Sequence, residues 1–309
     1  MQITIRRTEP EDYPALIRIF NDQNEPHHHL TEEELRRGHE RGRAKGNHQL
    51  AALEGTRVVG LGQFGVRADD PSPGKYWGWF FVHRDYRNRG VDTALWDEAV
   101  SLLVRPVSIW TCVREDFVAT AGYLREREYR EQFRSWGANL DLAGFDVRRA
   151  SGLEEALKVR GIRLRSYPEL SSDPLRDEKL LELQARLEEE APHHEPIIPK
   201  RHPTIRDEET LIESLVVAVS GDEYVGLASL LDGGLFSEAA GSGFTGVKAA
   251  YRNLGVATAM KARTGSWAKA RGYRAVNAGG SGDNAAILSV NRRIGFEVEP
   301  DWITFARHL

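Results

Sequence analysis

Cysteine is nearly absent from this 309-residue chain, where Cys112 stands alone. An intrachain disulfide is therefore excluded, and so is a zinc site built on a cysteine set. Long apolar runs are missing as well. No stretch approaches the ~18 apolar residues of a membrane helix, and the opening MQITIRRTEPED has no apolar leader core. The expected location is the cytoplasm, with no membrane partner. Positive charge is not in excess: 42 Lys and Arg against 46 Asp and Glu leave a net charge of −4 and a pI near 6.2. Composition gives no electrostatic footprint for nucleic acid. What is present is ordinary for a globular protein, 28% charged and 40% hydrophobic residues, and the length favours two domains. Cys112 lies in the apolar run VSIWTCV and is expected to be a buried strand residue.

The strongest positive signal is a repeat. Tyr86 to Leu95, YRNRGVDTAL, and Tyr251 to Met260, YRNLGVATAM, agree at seven of ten positions and lie 165 residues apart. Other features recur in the same order at nearly the same offset. Ile3-Thr4-Ile5-Arg6 resembles Ile162-Arg163-Leu164-Arg165 (159), Pro26-His27-His28 matches Pro192-His193-His194 (166), and Val59-Gly60-Leu61 matches Val225-Gly226-Leu227 (166). A nearly constant offset marks a duplicated domain rather than a duplicated loop. In each half the Gly turn leads into a helix, a short strand (Pro106 to Val113, or Arg274 to Ala278) and a second helix ending at Glu128-Tyr129 or Gly295-Phe296. Strands alternating with helices predict an α/β sandwich in each half. Leu140-Asp141-Leu142 is expected to close the first sheet, and Leu153 to Arg160 reads as a linker helix stopped by Gly161. The expected domains are 1–148 and 149–309. Arg176 to Glu190 reads as a charged amphipathic helix whose Glu188 to Glu190 form a solvated face.

The repeated Arg-Asn-x-Gly-Val lies between a strand-like run and a helix, where exposed backbone N–H groups and the helix dipole can hold an anion. In the second copy, Ser242 to Val247 reads as the strand and Arg252-Asn253-Leu254-Gly255-Val256-Ala257 as the turn. Gly255 and Ala257 let the backbone approach a diphosphate closely. Ala257 to Gly272 has no acidic residue but carries Lys261, Arg263, Lys269 and Arg271, which leaves the positive helix end free for an external anion. In the first copy Asp92 replaces Ala257, and Asp97 and Glu98 come soon after. Asp92 is expected to satisfy the helix N–H groups itself and repel a phosphate.

The second helix breaks the symmetry in the same direction. Asn284 and Asn291 lie two turns apart on one helical face, a polar stripe among the core candidates Ala285, Ala286, Leu288 and Ile294, and Gly295 supplies a left-handed stop. The corresponding residues of the first half, at an offset of 167, are Phe117, Leu124 and Glu128.

On these residues the second half resembles the GCN5-related N-acetyltransferases (GNAT). Arg252 to Ala257 fits their R/Q-x-x-G-x-G/A acetyl-CoA loop, and Asn284 through Asn291-Arg292-Arg293-Ile294-Gly295-Phe296 fits their N-x-x-M-x-x-x-N-x-x-L-G-F motif. The resemblance covers 161–309 well and 1–147 more loosely, as in tandem two-domain acetyltransferases such as mycothiol synthase. It implies two GNAT-like domains, each a mixed, mostly antiparallel sheet flanked by helices, the first vestigial and the second cofactor-binding. It further implies that the sheet splays beside the strand ending Thr245-Gly246-Val247, whose edge pairs with the pantetheine arm. A backbone N–H of Gly246 or Val247 would stabilise the oxyanion. The loop Arg252, Asn253, Leu254, Gly255, Val256, Ala257 and Thr258 would hold the diphosphate, with Asn284 and Asn291 on the cofactor's other side. Two groups depart from the family: Asn291 stands where many relatives have an acidic Tyr, and the fourth strand has no carboxylate, Glu238 being the nearest acid.

The same resemblance places His193 and His194 at the acceptor pocket, where a histidine could act as base. No carboxylate spacing supports a metal, so acetyl-CoA is the only expected cofactor. The aromatic strand with Tyr76, Trp77, Trp79, Phe80 and Phe81 reads as core or domain interface rather than a ligand platform. The expected function is acyl transfer from coenzyme A to a primary amine of a small molecule; the alternative is a non-catalytic acyl-CoA-binding or interaction module, favoured by the missing acid and base.

Overall fold

The computed structural model describes residues 2–24, 29–67, 72–191, 204–233, 238–282 and 284–309. The chain forms two compact units, Met1–Phe133 with Trp302–Leu309, and Arg134–Asp301. The first contains β1 (Ile3–Arg7), α1 (Tyr13–Asn21), α2 (Glu32–Ala44), β2 (His48–Glu54), β3 (Arg57–Val66), β4 (Lys75–Val82), α3 (Val91–Leu102), β5 (Ser108–Arg114) and α4 (Val118–Glu126). The second contains β6 (Arg130–Asp141), whose first residues still belong to unit 1, then α5 (Leu153–Val159), β7 (Ile162–Ser166), α6 (Arg176–Glu189), β8 (Val216–Ser220) and β9 (Glu223–Asp232). It continues with β10 (Ala239–Val247), α7 (Val256–Ala270), β11 (Ala275–Ser281), α8 (Ala285–Ile294) and β12 (Glu297–Val298), after which β13 (Trp302–His308) returns to unit 1. No helix among the described residues is long and apolar enough to cross a membrane.

Strand order is β1-β2-β3-β4-β5-β13 in unit 1 and β6-β11-β10-β9-β8-β7 in unit 2, with β12 beside β6. Within each unit all pairings are antiparallel except β4 with β5 and β10 with β11, which matches the mixed, mostly antiparallel expectation. The duplication extends to the backbone. Gly55 and Gly221 turn the two matching hairpins at φ +60° and +58°, and each hairpin carries a one-residue shift next to Val59-Gly60 or Val225-Gly226. Such shared irregularities are inherited features of a fold rather than accidents of packing.

Each sheet is covered by its apolar helix faces. In unit 1, Val91, Leu95 and Ala99 of α3 pack on Leu50, Val59, Phe64 and Ile109, while Ala121 and Leu124 of α4 pack on Val113, Ile303 and Phe305. In unit 2, Val256, Ala259 and Met260 of α7 cover Val216, Ala218 and Val225. Leu180, Leu183 and Leu187 of α6 pack with Val217 and Leu227, so this helix is amphipathic as expected. Ala262 and Ala268 of α7 and Ile294 of α8 share a third cluster with Trp136, Leu140 and Val276.

The ends of the two halves differ from the sequence expectation. The strand expected to close the first sheet is β6, and it runs antiparallel to β11, with Leu140 opposite Val276 and Ala138 opposite Ala278. The last strand of the chain, β13, instead lines up with β5, Phe305 opposite Thr111 and Ile303 opposite Val113. The helix read as a linker is α5, whose Leu157 is in the core of unit 2. The division therefore falls at 133/134, with a return at 302, rather than at 148. Alternation shows that a segment is a strand but does not name its partner. Cys112 lies on β5 but is only partly buried.

Phe305 is fully buried in unit 1. Phe305→Ala is expected to destabilise by about 3–5 kcal/mol and to remove amide exchange protection from β5 while leaving β8 and β9 protected. Exchange that rises equally in both units would contradict the assignment of β13 to unit 1.

Candidate functional site

In unit 2 the parallel strands β10 and β11 share only the pairs Ala239↔Ala275, Ala240↔Val276 and Gly241↔Asn277. Beyond Gly241, β10 keeps β9 on one side while β11 keeps β6 along its whole length. The sheet is therefore split from Ser242 onward, leaving a row of β10 backbone groups without a strand partner. A bulge accompanies the split: Ser242 pairs with Leu230 but Thr245 with Ala228, so β10 carries one extra residue. Gly243 makes this possible, since a Cβ there would lie 2.4 Å from Ser229 Oγ and 3.1 Å from its carbonyl oxygen.

The amide of Lys248 donates to Val225 of β9 at 2.9 Å. Alternation along an antiparallel ladder then turns Gly246 toward β9, and Thr245 and Val247 toward the split. Of the two amides expected as oxyanion donors, Gly246 faces β9 and Val247 faces the split, as does Thr245. Below them, Asn253 (φ +62°) and Gly255 (φ +86°) are both left-handed, and Gly255 caps α7 without any side-chain hydrogen bond or first-turn acid. The N–H groups of this first turn are available to an anion. Arg252 is engaged: its Nε donates to the Val247 carbonyl at 2.9 Å and its Nη2 to Glu190 at 2.5 Å. Glu190, read as part of a solvated face, instead reaches the loop.

The polar stripe on α8 separates into two roles. Asn284 is the helix N-cap, its Oδ1 accepting from the Ile287 amide at 3.4 Å, whereas Asn291 is fully buried. Ala285 and Ala286, expected in the core, are exposed. Asn291 Nδ2 and Oδ1, Thr245 Oγ1 and Trp136 Nε1 are buried without a hydrogen-bond partner among the described residues. Orphaned buried polar atoms cost on the order of 1–3 kcal/mol each, and β10, β6 and α8 bring these four into the same unit. Lys261 of α7 is 4% exposed and donates to Ser242 Oγ at 2.7 Å, with Phe296 5.3 Å from its ammonium. Burial alone pushes its pKa down to about 8. Neither Trp136 nor Lys261 was singled out for the site by the sequence reading; a lone lysine in a helix face of small residues was the available signal.

Glu238 is not at the split. It lies at the opposite, paired end of β10, exposed and ion-paired with Arg274 at 2.8 Å. His193 and His194 lie outside the described residues. On the α6 side of β9, a recess is lined by Leu180, Gln184, Thr204, Ile205, Leu215 and Ser229. No group of three or more His, Cys, Asp or Glu among the described residues could hold a metal ion.

Unit 1 has the same frame with different contents. β4 and β5 also share just three pairs, Lys75↔Ser108 to Trp77↔Trp110, and Asn88 (φ +58°) and Gly90 (φ +80°) repeat the turn. Yet β3 and β4 run in unbroken register from Gly60↔Val82 to Val66↔Tyr76, so there is no bulge. Register makes Gly78 the counterpart of Ser242, and past the bulge Phe80 that of Thr245; Trp96 corresponds to Lys261 and Leu124 to Asn291. Phe80 and Trp96 are 5.9 Å apart by ring centroid, and Trp96 also packs against the cluster containing Leu124. An apolar plug occupies what is a polar site in unit 2.

Asp92 does not cap α3 as expected. It hydrogen-bonds Tyr123, whose phenol burial and this bond push up, and lies 3.9 Å from Arg127. Its charge is therefore partly offset. Glu128 still adopts the left-handed stop, at φ +66° against +105° for Gly295, so the turn geometry outlived its glycine at a cost of about 1 kcal/mol.

Residues 13–129 match the model of the Acetyltransferase (GNAT) family. Over 99% of its length the chain is similar to a GCN5-related N-acetyltransferase from Sphaerobacter thermophilus, at 17% identity, 95% coverage of that chain and a TM-score of 0.70. It is similar over 99% of its length, and 98% of the other chain, to a tandem GNAT protein from the clavulanic acid biosynthesis pathway, at 17% identity and a TM-score of 0.67. The fold is therefore that of a tandem GNAT protein. The GCN5-related glucosamine N-acetyltransferase region of a fungal multi-domain GH3 beta-N-acetylglucosaminidase is also similar, at 15% identity and a TM-score of 0.68, although the chain spans only 38% of that protein. No curated protein matches. The family match falls on unit 1, while the sequence motifs point to unit 2. A match across a domain weighs its core pattern, whereas the motifs weigh a few site positions.

Asn291→Leu, which installs the counterpart residue of unit 1, is expected to stabilise the cofactor-free protein by about 1–2 kcal/mol in chemical denaturation. A loss of stability would show that the buried amide is satisfied.

Proposed function

We propose that this tandem GNAT transfers an acetyl or short acyl group from coenzyme A to a primary amine of a small molecule, using unit 2. The observation that carries the reading is the bulge and the orphaned polar groups beside the split in β10, where unit 1 keeps the split but has unbroken register and an apolar plug. The solved tandem relative is described as being without acetyl-CoA, which marks that compound as the ligand considered for it and supports the choice of co-substrate.

In this reading the N–H groups of residues 254–258 hold the diphosphate at the positive end of α7. Arg252 exchanges Glu190 for phosphate, and the pantetheine arm pairs with the free edge at Val247 and Thr245. The Val247 amide, with Thr245 behind it, stabilises negative charge on the thioester oxygen as the amine attacks. Asn284 serves by capping α8, and Asn291 by presenting an unsatisfied amide to the split. The acceptor enters from the recess around Gln184 and Ser229, and the family resemblance assigns His193 and His194 to its pocket. Holding both reactants in line supplies much of the rate.

A second reading places the cofactor in unit 1, because the family match lies there and α3 also begins without a side-chain cap. Calorimetry separates the two. Ala257→Asp, which puts the Asp92 carboxylate into unit 2, is expected to weaken acetyl-CoA binding about tenfold or more, since ~1.4 kcal/mol suffices for that, while Gly90→Glu leaves it unchanged. The reverse ranking assigns the cofactor to unit 1. Release of free thiol from acetyl-CoA with a panel of primary amines tests the reaction; binding without turnover on any amine leaves an acyl-CoA-binding module.

A further inference from the structure

Aminolysis of a thioester expels a thiolate that needs a proton, and neither Asn291 nor the distant Glu238 can supply one. The structure offers another source. Lys261 points from α7 at Ser242, its Nζ donating to Oγ at 2.7 Å, so the hydroxyl hydrogen of Ser242 is left to donate onward. Ser242 is the first residue past the last β10–β11 pair, at the apex of the split. A pantetheine arm paired along Val247 and Thr245, coming from the loop after β10, runs toward that apex.

We propose that the Ser242 hydroxyl protonates the leaving thiolate, with Lys261 as the positioning residue that orients and recharges it. This rests on the acyl transfer assigned to unit 2. The acceptor nitrogen bonds to the thioester carbon and the C–S bond breaks with its electron pair on sulfur. Sulfur takes the Ser242 proton, and Oγ takes one from the Lys261 ammonium. The acceptor nitrogen sheds a proton to solvent on becoming an amide, and solvent returns one to Lys261 through Ser242.

The electrical surroundings suit a donor. Arg263, next along α7, is held by Glu154 at 2.9 Å and Glu169 at 3.8 Å. Arg148 is bound to Asp146, and Arg149 packs on Gly295. β9 carries charge only at its ends, Glu223 with Lys248 and Asp232, while Glu155 of α5 pairs with Lys158 and Glu213 pairs with Arg271. β10 and β11 carry no ionisable side chain, and the only charges on α8, Arg292 and Arg293, are exposed. No carboxylate among the described residues fixes the ammonium, and burial lowers its pKa to about 8, below that of an ordinary alkyl ammonium and close to that of a thiol. In unit 1 the counterparts are Trp96 and Gly78, which can do neither job.

The test tracks two signals across pH 6 to 10 (on the order of the range spanning both groups). The first is kcat for thiol release at saturating acetyl-CoA and amine. The second is the ultraviolet absorbance of the thiolate of bound coenzyme A, which needs no acceptor. Because the donor works only when protonated, kcat is expected to fall as pH rises through about 8. Lys261→Met and Ser242→Ala should each lower kcat by about 10²-fold and abolish that limb. Ser242→Thr, keeping a hydroxyl, should restore most of it. Lys261→Met should also raise the titration midpoint of the bound thiol by about one unit. Unchanged coenzyme A affinity shows that the variants fold. If wild type turns over and the variants keep its pH profile, or the thiol midpoint does not move, the relay is wrong although acyl transfer stands. If coenzyme A does not bind unit 2, the assignment of the reaction fails and the relay with it.

Discussion

Two parallel strands that pair for three residues and then part are the constraint on which the rest of unit 2 depends. A β-strand denied a neighbour exposes a line of donors and acceptors, a cost that folded proteins normally avoid on an edge. Here the cost is accepted in the middle of a sheet. The bulge at Gly243, which unit 1 lacks, sets what faces the opening, because one surplus residue raises the local twist and re-aims the rest of the strand. With the bulge in place, Val247 and Thr245 face the opening, Arg252 can reach back to the Val247 carbonyl, and α7 starts where its uncapped amides look along the same gap. Shifting β10 by one residue would reverse every one of these directions.

Comparison within the chain isolates what the site needs beyond its frame. Both units keep the parted parallel pair and the left-handed Asn and Gly of the turn. They differ in what fills the space beneath. Phe80, Trp96 and Leu124 close it with aromatic and aliphatic packing, which needs no partner and is favourable for stability. Thr245, Lys261 and Asn291 keep it polar and incompletely satisfied. Stability and ligand use pull in opposite directions at these positions, and the duplication shows both outcomes on one backbone.

Much of this was legible in the sequence because it depends on local chemistry. The Arg-Asn-x-Gly-Val turn, the amphipathic α6 and the Gly295 stop each arise from residues within one turn of one another. The loss of Asn291 and Ala257 equivalents from the first half could be read by simple offset. Long-range facts could not. The pairing of β6 with β11 and of β13 with β5 depends on partners more than 130 positions away, and Asp92 reads as a helix cap until Tyr123 and Arg127 are seen to hold it. Lys261 looked like one more surface cation supporting an anion; only its burial against Ser242 and Phe296 changes its meaning.

The return of β13 to unit 1 also sets an order of completion. A ribosome delivers Met1 to Phe133 first, yet the sheet of that unit lacks its strand beside β5 until Trp302 to Leu309 emerge. The strand β6, by contrast, is already made when β11 arrives to pair with it. Domains usually finish in the order of synthesis. In this chain the half made first is the half finished last, and the exposed edge of β5 must wait out the translation of the whole second unit.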